Sequence, residues 1–493
     1  MLLVLGAVPA NAQQSGGPGQ STGSQSGSGP NLRGQTQGQT QPPQGTTMGG
    51  TPSSRTTPAI VSGAQQMPGA ARTVQGPATL SLTKAIELAI QNNLATLLAK
   101  ERRREADGFK QESRAGLLPN VSGETYQASL TENLAALGFQ PGTFPGFTNT
   151  FIGPFNNFDA RARLVQSIFN LSAIRNYQAG KAGVRVAGLQ EELAREQVAS
   201  FTALTYLEAL RAERSVAAAE ANVALAQTLV QLAQDQRNAG IATGVDVTRA
   251  QVRLAQEQVR LAQAQTSSEQ ARLNLQRVTG LVLGSPLTLT DPLRFADEPQ
   301  PTPETAVVEA EQTRREVRVA EEQVNVSSLE RKAVQAELLP SLEFVGDYGV
   351  SGITPTNTAL PTRRAAIQLN VPIFDGGLTQ GRLTVATSRQ RQAELELGSV
   401  RGQVEEDVRL ALSTVRTAAA QVRAADESVR LAERELEMAR DRFRAGVADN
   451  LEVTTAQTSL ANARETQVTA LAAYNAARVN LAAAMGRAET FRW

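Results

Sequence analysis

Two long stretches of the chain carry apolar residues at alternating spacings of three and four positions. The first contains Val216, Ala219, Val223, Ala226, Val230 and Ala233, and the second contains Val422, Ala425, Val429, Ala432, Leu436, Ala439 and Phe443. This spacing predicts helices that pack side by side as in a coiled coil. No proline occurs between 155 and 285 or after Pro372, so these helices are predicted to be long. The first would measure about 95 Å at 1.5 Å per residue.

The first of these helices carries a second apolar stripe, formed by Leu225, Leu229 and Leu232. A helix with two apolar seams contacts two neighbours, whereas a simple helix pair needs one seam for each helix. The pattern therefore indicates the wall of a helical tube.

Four shorter segments show period-two alternation, which predicts β-strands. In the second half Leu342, Phe344, Gly346, Tyr348 and Val350 alternate with Glu343, Val345, Asp347 and Ser351, and on the return Ile367, Leu369, Val371 and Ile373 alternate with Gln368 and Asn370. In the first half Leu164 and Ile168 alternate with Arg161, Arg163 and Ser167. Runs with one apolar and one polar face are typical of membrane strands, although a surface hairpin of a soluble sheet fits the same pattern.

The chain repeats itself. "LLPNVSG" at 117–123 corresponds to "LLPSLEF" at 338–344, and "SIFN" at 167–170 to "PIFD" at 372–375. Each repeat is predicted to run helix, two strands, two long helices, over 79–298 and 299–488. The first repeat holds about 16 more residues between these landmarks, which we place in a Phe-rich loop at 138–158.

The N-terminal part of the chain has a different composition. Residues 1–12 combine an apolar run with small residues, which predicts the end of a signal peptide. Residues 13–78 are rich in Gln, Gly, Ser, Thr and Pro and are predicted to be disordered, because they hold too little apolar surface to offset ordering entropy.

Each long helical stretch is interrupted by a similar short segment, "AGIATGVDVTRAQ" or "AGVADNLEVTTAQ". Glycine suits the position after a helix end, which predicts that each segment is the turn of a helical hairpin. Thr243 with Asp246 and Asp449 with Glu452 have the spacing of capping boxes for the outgoing helices.

Composition excludes several kinds of chemistry. The chain has no His and no Cys, and its formal net charge is +1. We therefore predict no catalytic residues, no cofactor, no metal site and no nucleic-acid partner. No stretch has the roughly 20 apolar residues of a membrane-spanning helix, so any membrane span would be made of strands. Four strands cannot close a barrel, but three chains would supply twelve.

The doubled order of helix, strand pair and long helical hairpin resembles the TolC-like outer-membrane efflux channels. The match lies in the "LLP" before each first strand, the "IF" after each second strand and the G-x-x-x-x-x-[DE]-V-x-x-A-Q segment of each tip, and it covers about 79–488. This resemblance implies a mainly α fold with membrane β-structure. It implies a homotrimer whose twelve-stranded barrel lies in outer-membrane lipid and continues as a helical barrel in the periplasm.

The resemblance also implies functional residues. The hairpin tips would contact a periplasmic adaptor, which links the channel to an inner-membrane pump of the RND or ABC type. These tips comprise Gly240, Ile241, Ala242, Thr243, Gly244, Val245, Asp246, Val247, Gly446, Val447, Ala448, Asp449, Asn450, Leu451, Glu452 and Val453.

A gate at the periplasmic entrance is implied as well. In the best-known member, two aspartates three residues apart ring the closed entrance; the first corresponds to Glu452 and the second to Thr455, which is not acidic. We therefore expect a gate formed by Glu452, supplemented by Asp449. The expected function is a passive exit duct for efflux or type I secretion, and the alternative is a periplasmic coiled-coil scaffold that never enters the membrane.

Overall fold

The computed structural model describes residues 68–76, 79–138, 149–240, 242–297, 299–356, 358–447 and 450–492. The predicted signal peptide remnant, 1–12, lies outside the described residues. So does most of the predicted disordered tail, 13–78.

The two halves of the chain contain the same series of elements. The first half contains β1 (Thr79–Leu80), α1 (Leu82–Asn92), α2 (Leu94–Ala115), β2 (Asn120–Asn133), β3 (Phe151–Phe169), α3 (Leu171–Asn238) and α4 (Gly244–Thr279). The second half contains β4 (Thr288–Leu289), α5 (Pro303–Thr313), α6 (Arg315–Gln335), β5 (Ser341–Gly352), β6 (Leu360–Asn370), α7 (Leu378–Arg444) and α8 (Asn450–Ala484). The predicted fold class, mainly helical with a strand pair and a long helical hairpin in each half, is confirmed.

The first helix of each half differs from the prediction, because it is two helices. Asn93 separates α1 from α2 with an extended backbone, and its side chain accepts a hydrogen bond from the Ala95 amide. Arg314 separates α5 from α6 with a similarly extended backbone, ψ at 126°, but its side chain does not cap α6.

The two long hairpin helices have the predicted length. Helix α3 contains 68 residues and α7 contains 67, so each extends for about 100 Å. Helix α3 also contains an 18-residue window of mean hydropathy 1.2, a third of which is buried. By length and composition alone this helix could cross a membrane, whereas no helix of that kind was predicted from the sequence. This helix packs against α2, α4, α6 and α8 along its course, which accounts for its apolar content.

The predicted seams form the helical core. Ala219, Ala226 and Ala233 on α3 are buried. On α7 the buried seam residues are Val422, Ala425, Ala432, Leu436, Ala439 and Phe443. Leu229, from the second stripe of α3, packs into a cluster with Leu436 and Phe443 of α7 and Val453 and Leu460 of α8. Helix α3 therefore contacts neighbours on both of its apolar stripes.

The four long strands form one antiparallel sheet in the order β2-β3-β5-β6. The central pair, β3 with β5, joins the two halves of the chain, and β2 and β6 are the edges. All four strands connect to helices at the same end of the sheet, because α2 precedes β2, α3 follows β3, α6 precedes β5 and α7 follows β6. The opposite end holds the two strand turns.

The alternation predicted for the strands is confirmed in most positions and shifted in two places. Strand β6 ends at Asn370, so Val371 and Ile373 lie beyond it, next to the Pro372 that stops the strand. In β3 the register shifts after Ser167, and Phe169 rather than Ile168 lies opposite Leu342.

The N-terminal limit of the ordered chain also differs from the prediction. Residues 68–76 belong to the stretch predicted to be disordered, but they lie against the helical body. The amide of Ala70 donates to the Arg277 carbonyl at 2.9 Å, and the amide of Val74 donates to the Gly280 carbonyl at 2.8 Å. These backbone hydrogen bonds hold a segment that has little apolar surface of its own.

The predicted Phe-rich loop is in part a strand. Phe151, Phe155 and Phe158 lie in β3, whereas Phe139, Phe144 and Phe147 lie outside the described residues. Strands β2 and β3 remain paired from Phe158 to Phe151, beyond the point where β5 ends. The extra residues of the first half therefore lengthen its strand hairpin as well as its turn.

Candidate functional site

The tip of the first helical hairpin is a short, strongly hydrogen-bonded turn. Gly240 follows the end of α3 with φ at +76°, in the left-handed region that favours glycine. Its amide donates to the Arg237 carbonyl at 3.0 Å, which satisfies one of the free carbonyls at the helix end. The predicted glycine position is confirmed.

Helix α4 begins with the predicted capping box. The Thr243 hydroxyl accepts from the Asp246 amide, and the Asp246 carboxylate accepts from the Thr243 amide at 2.8 Å. The hydroxyl of Thr243 also donates to that carboxylate, and this bond and the amide bond hold the pKa of Asp246 below its usual range. Asp246 is therefore an ionised cap of its own helix.

The tip of the second hairpin ends α7 in the same way. Gly446 has φ at +70°, its amide donates to Phe443, and the amide of Val447 donates to the Arg442 carbonyl at 3.0 Å. This pair of bonds is a Schellman motif, a common helix C-terminus. Ala448 and Asp449, like Ile241 in the first tip, lie outside the described residues, so the capping box predicted for Asp449 with Glu452 does too.

Two side-chain bonds join the tips to each other. The buried Asn450 donates from Nδ2 to the Asp246 carbonyl at 2.6 Å. One turn away from the tip, Gln236 donates from Nε2 to the Phe443 carbonyl at 2.9 Å. The two hairpins are thus connected at their ends by polar bonds as well as by the apolar seam.

Glu452, the predicted gate residue, faces the other helix of its own hairpin. Its Oε1 lies 3.5 Å from the Nε of Arg442, and the two side chains are 41% and 59% exposed. Such a solvent-exposed ion pair contributes little to stability, so it can break without unfolding the tip.

The predicted tip residues divide into two groups by burial. Val247, Val453 and Asn450 are buried in the hairpin core. Val245, Val447 and Leu451 are between 55% and 70% exposed, so they form the apolar surface that the tips present. Gly240, Thr243, Gly244 and Gly446 are also exposed, and Ala242, Asp246 and Glu452 are intermediate.

An open groove of about 660 Å³ lies behind the tips, between α3, α7 and α8. Its lining includes the apolar residues Ala224, Leu225 and Leu436 and charged side chains of both signs, among them Glu437 and Arg440. In the described part of the chain, no group of acidic side chains is arranged to hold a metal ion.

The sheet has one polar and one apolar face. Charged residues on the polar face include Glu124, Asp159, Arg161, Arg163, Glu343, Asp347 and Arg364, as the pairing register requires. On the opposite face, Val121, Tyr348, Ile367 and Leu369 are between 63% and 70% exposed. Apolar side chains thus predominate on this side of the sheet and are uncovered, although the exposed Arg363 lies among them, opposite Tyr348.

The family model described as "Outer membrane efflux protein" matches residues 85–281 and 306–487, which together make up most of the chain. The chain belongs to the outer membrane efflux protein family. Members of this family are outer-membrane channels rather than enzymes, which places the protein in the outer membrane with its helical part in the periplasm.

Three known proteins are similar to this outer membrane efflux protein. The alkaline protease secretion protein AprF of Pseudomonas aeruginosa is 27% identical over 274 residues. The matched region covers 54% of AprF, so the chain spans about half the length of that relative. The CmeC outer membrane channel of Campylobacter jejuni is 18% identical, with a TM-score of 0.68 over 83% of this chain and 86% of CmeC. The MtrE outer membrane channel of Neisseria gonorrhoeae is 20% identical, with a TM-score of 0.65 over 82% of this chain and 88% of MtrE. The last two likenesses establish the fold.

The side-chain contacts that hold the tips of this efflux protein together could not be predicted from its sequence. Asn450 was predicted only as an adaptor contact, and Gln236 and Arg442 were not singled out, because each acts on a residue that lies on another helix or about two hundred positions away. The doubled sequence offers one clue: Gln236 and Arg442 occupy the same place in the two repeats, and each is polar one turn before a tip.

Proposed function

We propose that the protein is the exit duct of an efflux or type I secretion system, a homotrimer that conducts solutes passively from the periplasm across the outer membrane. The observation that carries this proposal is the four-stranded sheet. It has one exposed and mainly apolar face and two unpaired edges, β2 and β6, and it stands at one end of two long helical hairpins.

The edges of the sheet are the reason for an oligomer. Unpaired backbone groups are too costly in hydrocarbon, so strands in lipid must close into a barrel. If β6 of one copy pairs with β2 of the next, three copies form twelve strands with their apolar faces toward lipid and their polar faces toward a lumen. Residues 79–298 and 299–488 would form one repeat each. The helical hairpin of each repeat would continue this ring into the periplasm.

The hairpin tips are the proposed contact with the periplasmic adaptor. They are the ends of the hairpins farthest from the sheet, and they expose Val245, Val447 and Leu451 beside polar backbone. The groove behind them, lined by both apolar and charged side chains, suits an amphipathic helical partner. An inner-membrane pump of the RND or ABC type would supply the energy through this adaptor.

Glu452 is the proposed gate residue, and its ion pair with Arg442 suggests how the gate works. In one arrangement the carboxylate is held against α7; when the tips shift, Arg442 releases it toward the axis of the assembly. Asp449, the second proposed gate residue, precedes α8 directly.

Two measurements test the proposed function. The protein should leave the membrane fraction only with detergent, and the purified trimer should give discrete single-channel conductance steps in a planar bilayer. The alternative, a periplasmic coiled-coil scaffold, predicts release by salt or osmotic shock and a silent bilayer.

A closed channel would also be silent, and a second variant resolves this case. Deleting the two tips, 240–247 and 446–453, opens a duct that is closed there and restores conductance. The same deletion leaves a scaffold silent. The deletion variant must retain the helical circular dichroism and trimeric size of the parent, which excludes misfolding as the cause.

A further inference from the structure

The polar face of the sheet carries an arrangement of charges that the duct function does not by itself require. We propose that Arg163 and Arg364 form an anion-binding belt inside the barrel, which favours solutes bearing carboxylate, phosphate or sulfate groups over cations. This inference rests on the proposed function, because it requires that the polar face lines a lumen.

The arrangement begins with Gly349, at the centre of the sheet. It lies directly opposite Arg161, and a Cβ atom built on it would stand 2.2 Å from the Ala160 carbonyl oxygen and 2.6 Å from the Arg161 Cβ. No side chain other than hydrogen fits between these strands at this point. The position beside Arg161 on the polar face is therefore empty of side chain.

Arg161 forms ion pairs with two acids of this face, so its single positive charge is shared between two carboxylates. Its guanidinium donates to both carboxylate oxygens of Asp159, two residues away on the same strand. It also lies across the Gly349 position and reaches the Oδ1 of Asp347 on β5, at 3.4 Å. The Asp159 and Asp347 side chains are only 3% and 12% exposed, so this one arginine covers two carboxylates.

The next row across the sheet is left with excess positive charge. Arg163, Asp347 and Arg364 lie directly opposite one another on three adjacent strands. Directly opposite side chains have Cβ atoms about 5 Å apart, but Asp347 turns toward Arg161 in the neighbouring row. Among the residues that the structure describes, neither Arg163 nor Arg364 has an ion-pair partner, and both are exposed.

The remaining acids of this face do not cancel the row. Glu124 lies opposite Arg161 on the edge strand β2, one row nearer the strand turns. Glu343 lies four residues before Asp347, at the helical end of β5. Their presence makes the belt local: in a trimer the six arginines and three Asp347 side chains of this row carry a net charge of +3, and acidic residues lie in the levels on either side.

A belt of this kind acts on any small anion through charge and fixed hydrogen-bond donors. Guanidinium groups bind carboxylate, phosphate and sulfate oxygens with paired N–H donors. The two arginines lie on β3 and β6, on either side of β5. Their positive charges raise the local concentration of anions in the lumen and lower that of cations. The class of solute that leaves most readily is therefore predicted to be anionic.

Single-channel recording in a KCl gradient tests the belt, with the trimer reconstituted in a planar bilayer. We expect the double variant Arg163→Gln, Arg364→Gln to lower the anion-to-cation permeability ratio by about twofold or more. Glu124→Gln is the matched control, since it removes the opposite charge one row away and should shift the reversal potential in the other direction.

A second variant tests the role of Arg161. Arg161→Gln exposes the carboxylates of Asp159 and Asp347, so the ratio should fall even though Arg163 and Arg364 remain. Conducting trimers whose reversal potential is the same in all of these variants and the wild type would overturn the belt while leaving the duct intact. Absence of conductance in every protein, the tip deletion included, would instead contradict the proposed function.

Discussion

The two hairpin tips occupy equivalent places in the two repeats, yet their acids have different partners. Asp246 and Glu452 are the same position of the repeated sequence. The Asp246 carboxylate caps the helix on which it lies, through Thr243. Glu452, whose side chain is one methylene longer, reaches Arg442 on the opposite helix of its hairpin. Among the described contacts, the Asp246 carboxylate lies at the start of its own helix, and the Glu452 carboxylate lies against the opposite helix of its hairpin.

The helix ends opposite these acids differ as well. Phe443, in the last turn of α7, is 5% exposed and packs against α3 and α8. The equivalent residue in the last turn of α3 is Arg237, which is exposed. Duplication therefore preserved the turn, because the left-handed glycine is required in both, while the anchoring of each tip diverged. The second tip is anchored by Phe443, whereas the first has an exposed arginine at that position and buries Val247 against Ala233 and Ala250.

The largest expected effect comes from removing the apolar anchor. Phe443→Ala should lower the free energy of local unfolding around the second tip by about 3–5 kcal/mol, because a buried ring is replaced by a cavity. Hydrogen exchange of amides in α7 and α8 measures this opening. Met438→Ala, at a residue 62% exposed on the same helix, is the control and should change exchange little. Equal protection in both variants would contradict the proposed anchor.

The turn glycines should give a smaller effect that is alike in both tips. Gly240→Ala and Gly446→Ala each place a side chain at φ near +70°, which costs about 1–2 kcal/mol. Faster amide exchange at the substituted tip is the expected result. Gly244→Ala is the matched control, because Gly244 is the first residue of α4 and nothing lies within 4 Å of its added Cβ. A cost at Gly244 as large as that at Gly240 would refute the account.

Low pH should destabilise the first tip, because it protonates the Asp246 carboxylate. The pKa of Asp246 is lowered in the folded chain, so its carboxylate caps α4 at every pH above the ordinary pKa of an aspartate. This contribution to stability is lost as the pH falls through the lowered pKa. Amides of the first turn of α4 should therefore exchange faster, relative to their intrinsic rates, below about pH 4. In Asp246→Asn this pH dependence should disappear. Its persistence would assign the acid effect to another group.

The smallest effect on stability, with a specific effect on conduction, is expected at Glu452. Glu452→Gln removes an exposed ion pair worth less than about 1 kcal/mol, so assembly should be unchanged. If Glu452 lies at the gate, block of the channel by multivalent cations should weaken in this variant. Asp246→Asn should leave block unchanged, since that carboxylate is held by its helix. Identical block in Glu452→Gln and the wild type would remove Glu452 from the gate.

Local patterns account for what could be predicted from the sequence. The long helices, the glycine turns, the Thr243–Asp246 cap and most strand alternation follow from spacings of a few residues, which act within one element. The doubled landmarks extended these predictions to the order of elements in both halves. The family resemblance added the trimer and the adaptor, which spacing alone does not contain.

The features that were not predicted depend on contacts between distant parts of the chain. The break at Asn93 is fixed in part by its bond to the Pro68 carbonyl, in a segment with a disordered composition. The bond from Asn450 to the Asp246 carbonyl, and the fit of Gly349 over Arg161, each join two different repeats. No periodicity marks such residues, because their role is set by the register of β3 against β5 and of α4 against α8.

The pairing of β3 with β5 has a consequence for the order in which the chain folds. Phe158 pairs with Gly352, so the sheet cannot form until the second repeat has been synthesised and exported. The α3–α4 hairpin lies within the first repeat, and its two helices pack against each other, so this hairpin can form earlier. In the interval, β2 and β3 are an isolated two-stranded ribbon, which is marginally stable and exposes its apolar side. Completion of the sheet is therefore expected to be the slow step of folding, and the interval before it the time when the chain is most prone to aggregate.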